Sequence, residues 1–219
     1  MVALIRHGQT DWNRDGLLQG VSDIPLNAVG RDQALAAARK LVGSDWNVVV
    51  SSPLARARET AQIIAGELGL GVAGTYAELM ERDYGALEGT PSADAITQWP
   101  SRDYPGAESL ADVAARGRAA LTRIREDLGD LASPLIVAHG TLIRYTLAAL
   151  AGRPVPGIEN GSISRVRREG SRWVVESVNG VPLAHIPEAA AARDASRAGE
   201  LQGPAKAPLG RVAPPAATG

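Results

Sequence analysis

Two short apolar runs, each ending in histidine and glycine, constrain this chain more than any other feature. Val2-Ala3-Leu4-Ile5 leads into Arg6-His7-Gly8, and Leu135-Ile136-Val137-Ala138 leads into His139-Gly140-Thr141. A brief unbroken apolar run bounded by glycine reads as a strand buried on both faces. Such strands belong to parallel sheets covered by helices, which bind ligands outside the carboxyl ends of their strands. A single histidine after a strand is ordinarily a hydrogen-bonded loop residue. Two of them, on parallel neighbouring strands, would meet at one rim of the sheet.

The rest of the chain fits that frame. Asp11 to Gly30 is a polar loop punctuated by Gly16, Gly20 and Pro25. Asn27 is placed to cap a helix that Gly43 ends. A second strand covers residues 46–50, and Ser52-Pro53 reads as cap and first position of a helix running to Gly69. A short strand falls between Gly71 and Glu78. Residues 80–106, with Pro91, Pro100 and Pro105, read as one long irregular loop of the kind that usually serves function. A helix from about Glu108 to Leu128 precedes the His139 strand, and another follows it to Ala151, with Thr141 as its expected cap. Residues 162–168 and 172–178 alternate around Glu169-Gly170-Ser171 as a hairpin.

This order predicts a three-layer α/β/α sandwich with a mostly parallel central sheet and a C-terminal hairpin. The domain is expected to span residues 1–187. Residues 188–219, rich in Ala and Pro, read as a disordered tail. His185, beside Pro187, is expected at the surface.

Composition narrows the function. With 219 residues and a net charge of −1, the chain has no reason to favour nucleic acid or an anionic membrane surface. It has no cysteine, which excludes disulfides and thiolate metal sites. No stretch approaches the roughly 20 apolar residues of a membrane span. The first strand begins at Val2, where a signal segment would stand, so a cytoplasmic protein is expected. Oligomeric state is not legible.

Four spaced motifs carry a resemblance: Arg6-His7-Gly8, Ser51-Ser52-Pro53-Leu54-Ala55-Arg56-Ala57, Glu81-Arg82-Asp83-Tyr84-Gly85 and His139-Gly140. Asp11-Trp12-Asn13, Pro25-Leu26 with Gly30 and Gln33-Ala34, and Asn160-Gly161-Ser162 add to it. In this order, over residues 2–180, they resemble the histidine phosphatase superfamily, which includes the cofactor-dependent phosphoglycerate mutases. The resemblance implies that His7 attacks phosphorus and that His139 joins Arg6 and Arg56 in a cage around the phosphoryl oxygens. It makes Glu81 the proton donor to the leaving alkoxide, and later the base that activates water. Asn13 matches a phosphate contact, although an asparagine here also suits a turn. Gln19 and Gly20 are further candidate pocket residues.

The chemistry is sensible apart from the family. A transferring phosphoryl group spreads charge over three oxygens and asks for preorganised cations. Arginine forks match it bidentately, and a helix N-terminus favours anions. A neutral imidazole is a competent nucleophile near neutral pH, and nearby arginines oppose its protonation. Duller roles exist as well: Arg56 can pair with Glu59 one turn on, and Glu81 can be a surface carboxylate.

Mutase members carry a longer, basic insertion after the glutamate. Here Arg82 to Gly106 is short and holds only Arg82 and Arg102 as cations. The expectation is therefore a phosphomonoesterase acting on a small phosphorylated metabolite, without metal or other cofactor. A mutase-type transfer, a non-catalytic phospho-ligand binder and a metal-dependent hydrolase using His7, His139 and a carboxylate such as Glu81 or Asp11 are the alternatives. Whether the substrate is a sugar phosphate, a phosphoglycerate derivative or a nucleotide-loop phosphate stays open. Trp99, Tyr84 and Tyr104 are available either to stack on a substrate ring or to pack the loop.

Overall fold

Strand β1 (Val2–Arg6) occupies the centre of a seven-stranded sheet in the computed structural model, which describes residues 1–188. Apart from Glu188, the expected tail lies outside the described residues. The other strands are β2 (Val48–Ser51), β3 (Val72–Thr75), β4 (Pro134–Ala138), β5 (Ile163–Glu169), β6 (Arg172–Val178) and β7 (Val181–Pro182). Their order across the sheet is β3-β2-β4-β1-β5-β6-β7. β1, β2, β3 and β4 are mutually parallel, and β5, β6 and β7 extend the sheet antiparallel.

The decisive pairing is β1 with β4. Ala3 lies opposite Leu135 and Arg6 opposite Ala138, so the two strands end level and His7 and His139 leave the sheet together. Alternation along β1 divides its side chains between two cores. Val2 and Leu4 pack with residues of α5 (Leu110–Leu128) and α6 (Gly140–Ala151). Ala3 and Ile5 pack with residues of α2 (Ala28–Arg39) and α3 (Ala55–Leu68) on the other face. Burying a side chain such as Ile5, which is fully enclosed, contributes about 1.5–3 kcal/mol. This is the expected three-layer sandwich.

Local signals explain most element ends. Asn27 caps α2 by accepting the amide of Gly30, and Ser109 caps α5 by accepting that of Asp112. α2 stops at Arg39 rather than continuing to Gly43, because the amides of Lys40 and Leu41 close tight three-residue turns onto Ala37 and Ala38. The hairpin turns at Gly170, whose φ of 59° suits glycine, and Glu169 pairs with Arg172.

Three expectations need correction. Residues 80–106 are not wholly irregular: they contain α4 (Ser92–Gln98), which fits across the cavity described below. A four-residue helix α1 (Asp11–Arg14) forms within the first loop, closed by a reciprocal capping box between Thr10 and Asn13. Ser52 does not cap α3. That helix starts at Ala55, whose amide is taken by Asp23 from across the loop, and Ser52 is left for another task. His185 is exposed, as expected. Among the described residues no helix is long and apolar enough to cross a membrane.

Candidate active site

Arg6, His7, His139 and Arg56 come from the carboxyl edge of the parallel strands or from a helix start facing it, whereas Gln19, Glu81 and Asn160 come from loops. His7 and His139 stand with ring centroids 5.1 Å apart, and both are buried. His7 Nδ1 lies 2.6 Å from the Gly8 carbonyl, which can only accept, so the proton sits on Nδ1. Nε2 therefore presents its lone pair, and Arg56 Nε donates to it at 3.3 Å. Burial first, then the charges of Arg56 and Arg6, hold the His7 pKa well below its ordinary 6.5. His139 is driven down in the same way by burial and by Arg56.

Arg56 is fully enclosed in the first turn of α3. It donates to the carbonyls of Ser22 at 2.8 Å and Gly20 at 2.7 Å as well as to His7. Glu59 instead pairs with Arg31, so the duller reading of Arg56 fails. Burial lowers the Arg56 pKa to about 10, which leaves it charged at neutral pH. Arg6 reaches from the end of β1 to the Ile158 carbonyl at 2.6 Å.

Glu81 is not a surface carboxylate. Its Oε1 accepts the amides of Arg82 and Leu142, and its Oε2 accepts that of Thr141 at 2.9 Å. The carboxylate thus seats on the N-terminus of α6, where unpaired amides favour an anion. Thr141 supplies this amide while its hydroxyl bonds Tyr84, so it is not the helix cap that the sequence suggested.

Asn13 takes the turn role that the sequence allows and also reaches the cavity. It closes the capping box with Thr10 and also lines the cavity, bonded to Gln19 Oε1 and to Asn160. Gln19 lines a smaller adjoining space together with Glu81 and Arg144. Gly20 is not there: its carbonyl holds Arg56, and a Cβ at this position would meet the Arg82 carbonyl at 2.4 Å. Two residues of the site were not assigned to it from the sequence, although both stand within the motifs quoted above. Asn160 donates to the His7 carbonyl at 3.0 Å, and Ser52 Oγ lies 2.7 Å from His139 Nε2. Ser52 follows β2 at the same sheet edge as the histidines, which is the signal that places it.

Three buried nitrogens of this cluster, Arg6 Nε, Gln19 Nε2 and His139 Nδ1, have no hydrogen-bond partner among the described residues. Beside Arg6 opens a cavity of about 340 Å³. Its lining includes Arg6, Arg82 and Arg102 and no acidic residue. Arg82 is itself buried, stacked against Tyr84 and Tyr104 and bonded to the Glu108 and Arg102 carbonyls. The aromatic residues thus pack the loop around an arginine. Among the described residues no group of three or more His, Asp or Glu is placed to hold a metal ion.

Residues 2–180 match the family model for the histidine phosphatase superfamily (branch 1). The chain belongs to this superfamily. Among curated relatives it is 34% identical over 183 residues to the uncharacterized phosphatase PhoE of Bacillus subtilis (strain 168), covering 81% of this chain and 93% of that one. It is 35% identical over 208 residues to the probable phosphoglycerate mutase GpmB of Yersinia enterocolitica, covering 85% and 95%. A mycobacterial glucosyl-3-phosphoglycerate phosphatase solved in complex with VO3 superposes with a TM-score of 0.73 at 31% identity, over 81% of this chain and 98% of that one. The superfamily therefore accounts for the sheet and the motif order, and its members here bear both phosphatase and mutase names.

Proposed function

We propose that this histidine phosphatase superfamily member is a metal-independent phosphomonoesterase working through a phosphohistidine on His7. The three buried, unpartnered nitrogens carry the reading. Buried donors are almost always paired, and a phosphoryl group offers three acceptor oxygens at one point. Arg6, Gln19 and His139 then surround those oxygens, with Asn13 beside them and Arg56 holding the attacking imidazole.

In the first step His7 Nε2 attacks phosphorus and the bond to the alcohol oxygen breaks. Glu81 enters this step protonated on Oε2, which accepts only the Thr141 amide, and gives that proton to the departing oxygen, so the alcohol leaves neutral. In the second step Glu81 takes a proton from water as the water oxygen attacks phosphorus. The P–N bond breaks, inorganic phosphate departs and neutral His7 is restored. The arginines neutralise the transferring group throughout, which is the work a divalent cation does elsewhere.

The cavity supports a small alcohol that bears a second anionic group. Arg102 lines it, and Arg144 from α6 lines the adjoining space beside Glu81, a cation the loop sequence alone does not reveal. The mutase reading is weaker here because Arg82, one of two loop cations, is committed to Tyr84, Tyr104 and backbone carbonyls.

The test follows free phosphate and isomer formation together on a panel of monoesters, with 3-phosphoglycerate included, for wild type and His7→Ala. Phosphate release that chelators leave intact and His7→Ala abolishes is the expected result. Isomerisation with little release would make the protein a mutase, and an active His7→Ala variant would overturn the mechanism.

A further inference from the structure

Ser52 has no assigned part in the chemistry, yet it is fully buried and its hydroxyl lies 2.7 Å from His139 Nε2. The same oxygen accepts the Leu54 amide at 3.3 Å, so its own proton remains to be given. A hydroxyl has one proton and two acceptor positions. With the Leu54 amide on one of these, the oxygen pairs with His139 either by donating to Nε2 or by accepting a second N–H.

Several observations choose between the two. His139 is held neutral by burial and by the arginines, so its ring carries one proton and must place it on one nitrogen. Nδ1 is buried and has no partner among the described residues. A proton on Nε2 would leave a bare Nδ1 lone pair in a cluster built to meet the lone pairs of an oxyanion. A proton on Nδ1 instead puts an N–H there.

We propose that Ser52 is a positioning residue: by donating its hydroxyl proton to Nε2 it fixes His139 as the Nδ1–H tautomer, which then donates to a phosphoryl oxygen. No proton is transferred; the bond selects which nitrogen faces the substrate. Which ring nitrogen is protonated is generally set by the hydrogen bond made at the other. The tautomer rests on the cluster receiving an oxyanion, which a non-catalytic phospho-ligand binder would share, and only its catalytic consequence rests on the phosphatase reading.

The experiment is long-range ¹H–¹⁵N correlation NMR on the full chain labelled at histidine, with His139→Gln to assign the ring. Wild type is expected to show the Nδ1–H form at His139, and Ser52→Ala to move it toward the Nε2–H form. In the kinetic arm Ser52→Ala is expected to lose roughly 10²–10³-fold in kcat, the size of losing one donor to a developing oxyanion, with KM little changed. Ser52→Thr, which keeps the hydroxyl, is expected to recover most of that loss. A wild-type His139 in the Nε2–H form would overturn the proposal without any variant having to fold. An unaltered tautomer in Ser52→Ala would overturn it equally. An Nδ1–H ring that responds to Ser52 in a protein without phosphatase activity would sink the functional reading and leave the tautomer assignment standing.

Discussion

Arg56 Nε lies 3.3 Å from His7 Nε2, so a fixed cation addresses the lone pair that the proposed mechanism sends to phosphorus. The contact penalises protonation of the nucleophile and sets its ring plane, because the other nitrogen is tied to Gly8. It also makes Arg56 irreplaceable by a point charge. Its fork satisfies two carbonyls and one imidazole at once, a geometry that lysine lacks. Arg56→Lys is expected to reduce kcat roughly 10²–10³-fold, measured as phosphate release under saturating substrate.

The two buried histidines make stability depend on pH in a definite direction. Their folded pKa values lie well below 6.5, whereas the unfolded chain titrates near 6.5. Below that value the unfolded state binds more protons, so stability falls as pH drops from about 6.5 toward the folded pKa values. Above it the term is constant. Each histidine that stays neutral contributes a slope of about 1.4 kcal/mol per pH unit within that window. Urea unfolding of wild type and His139→Gln across the window is expected to show the variant with the shallower slope.

Glu81→Gln separates proton donation from phosphoryl binding. An alkyl phosphate, whose leaving oxygen needs the proton, is expected to lose about 10²–10⁴-fold in kcat. An aryl phosphate, whose leaving group departs as a stable anion, is expected to lose much less. Equal losses on both esters would mean that Glu81 acts by its place at the start of α6.

Gly8 shows how closely the loop after His7 is packed. A Cβ there would stand 2.1 Å from the Gly30 carbonyl oxygen, and a Cβ at Gly30 would stand 2.2 Å from that of Gln9. Backbone meets backbone, and neither side can give way as a flexible side chain would. Gly8→Ala is expected to destabilise the fold by about 1–3 kcal/mol and to displace His7, with thermal unfolding and kcat read on the same preparation.

The sheet and the histidine pair were legible because apolar runs, glycine punctuation and the carboxyl-edge rule are all local signals. Arg56 was legible as a candidate, but its choice over a salt bridge with Glu59 depended on Arg31, which takes that glutamate from another helix. Ser52 was read as a cap because Ser-Pro starts helices, yet Asp23 holds the α3 amide from 32 residues away. Glu81 and Thr141 meet only across α6, and no spacing along the chain reports that. Arg144 faces the site because of helix phase, which the apolar pattern of α6 hid among its neighbours. Local chemistry thus announced the elements, and contacts between distant segments decided which polar groups they present.

The level ending of β1 and β4 also has a bearing on how the chain acquires its activity. These strands are sequence-distant, and every intervening element must leave room for them to pair. Such non-local pairing carries a large loop-closure cost and comes slowly. A half-assembled chain can hold native-like helices while Arg6 and Arg56 remain far apart and His7 faces water. Catalytic competence therefore matures after secondary structure, so in refolding the return of turnover lags behind the return of helical signal.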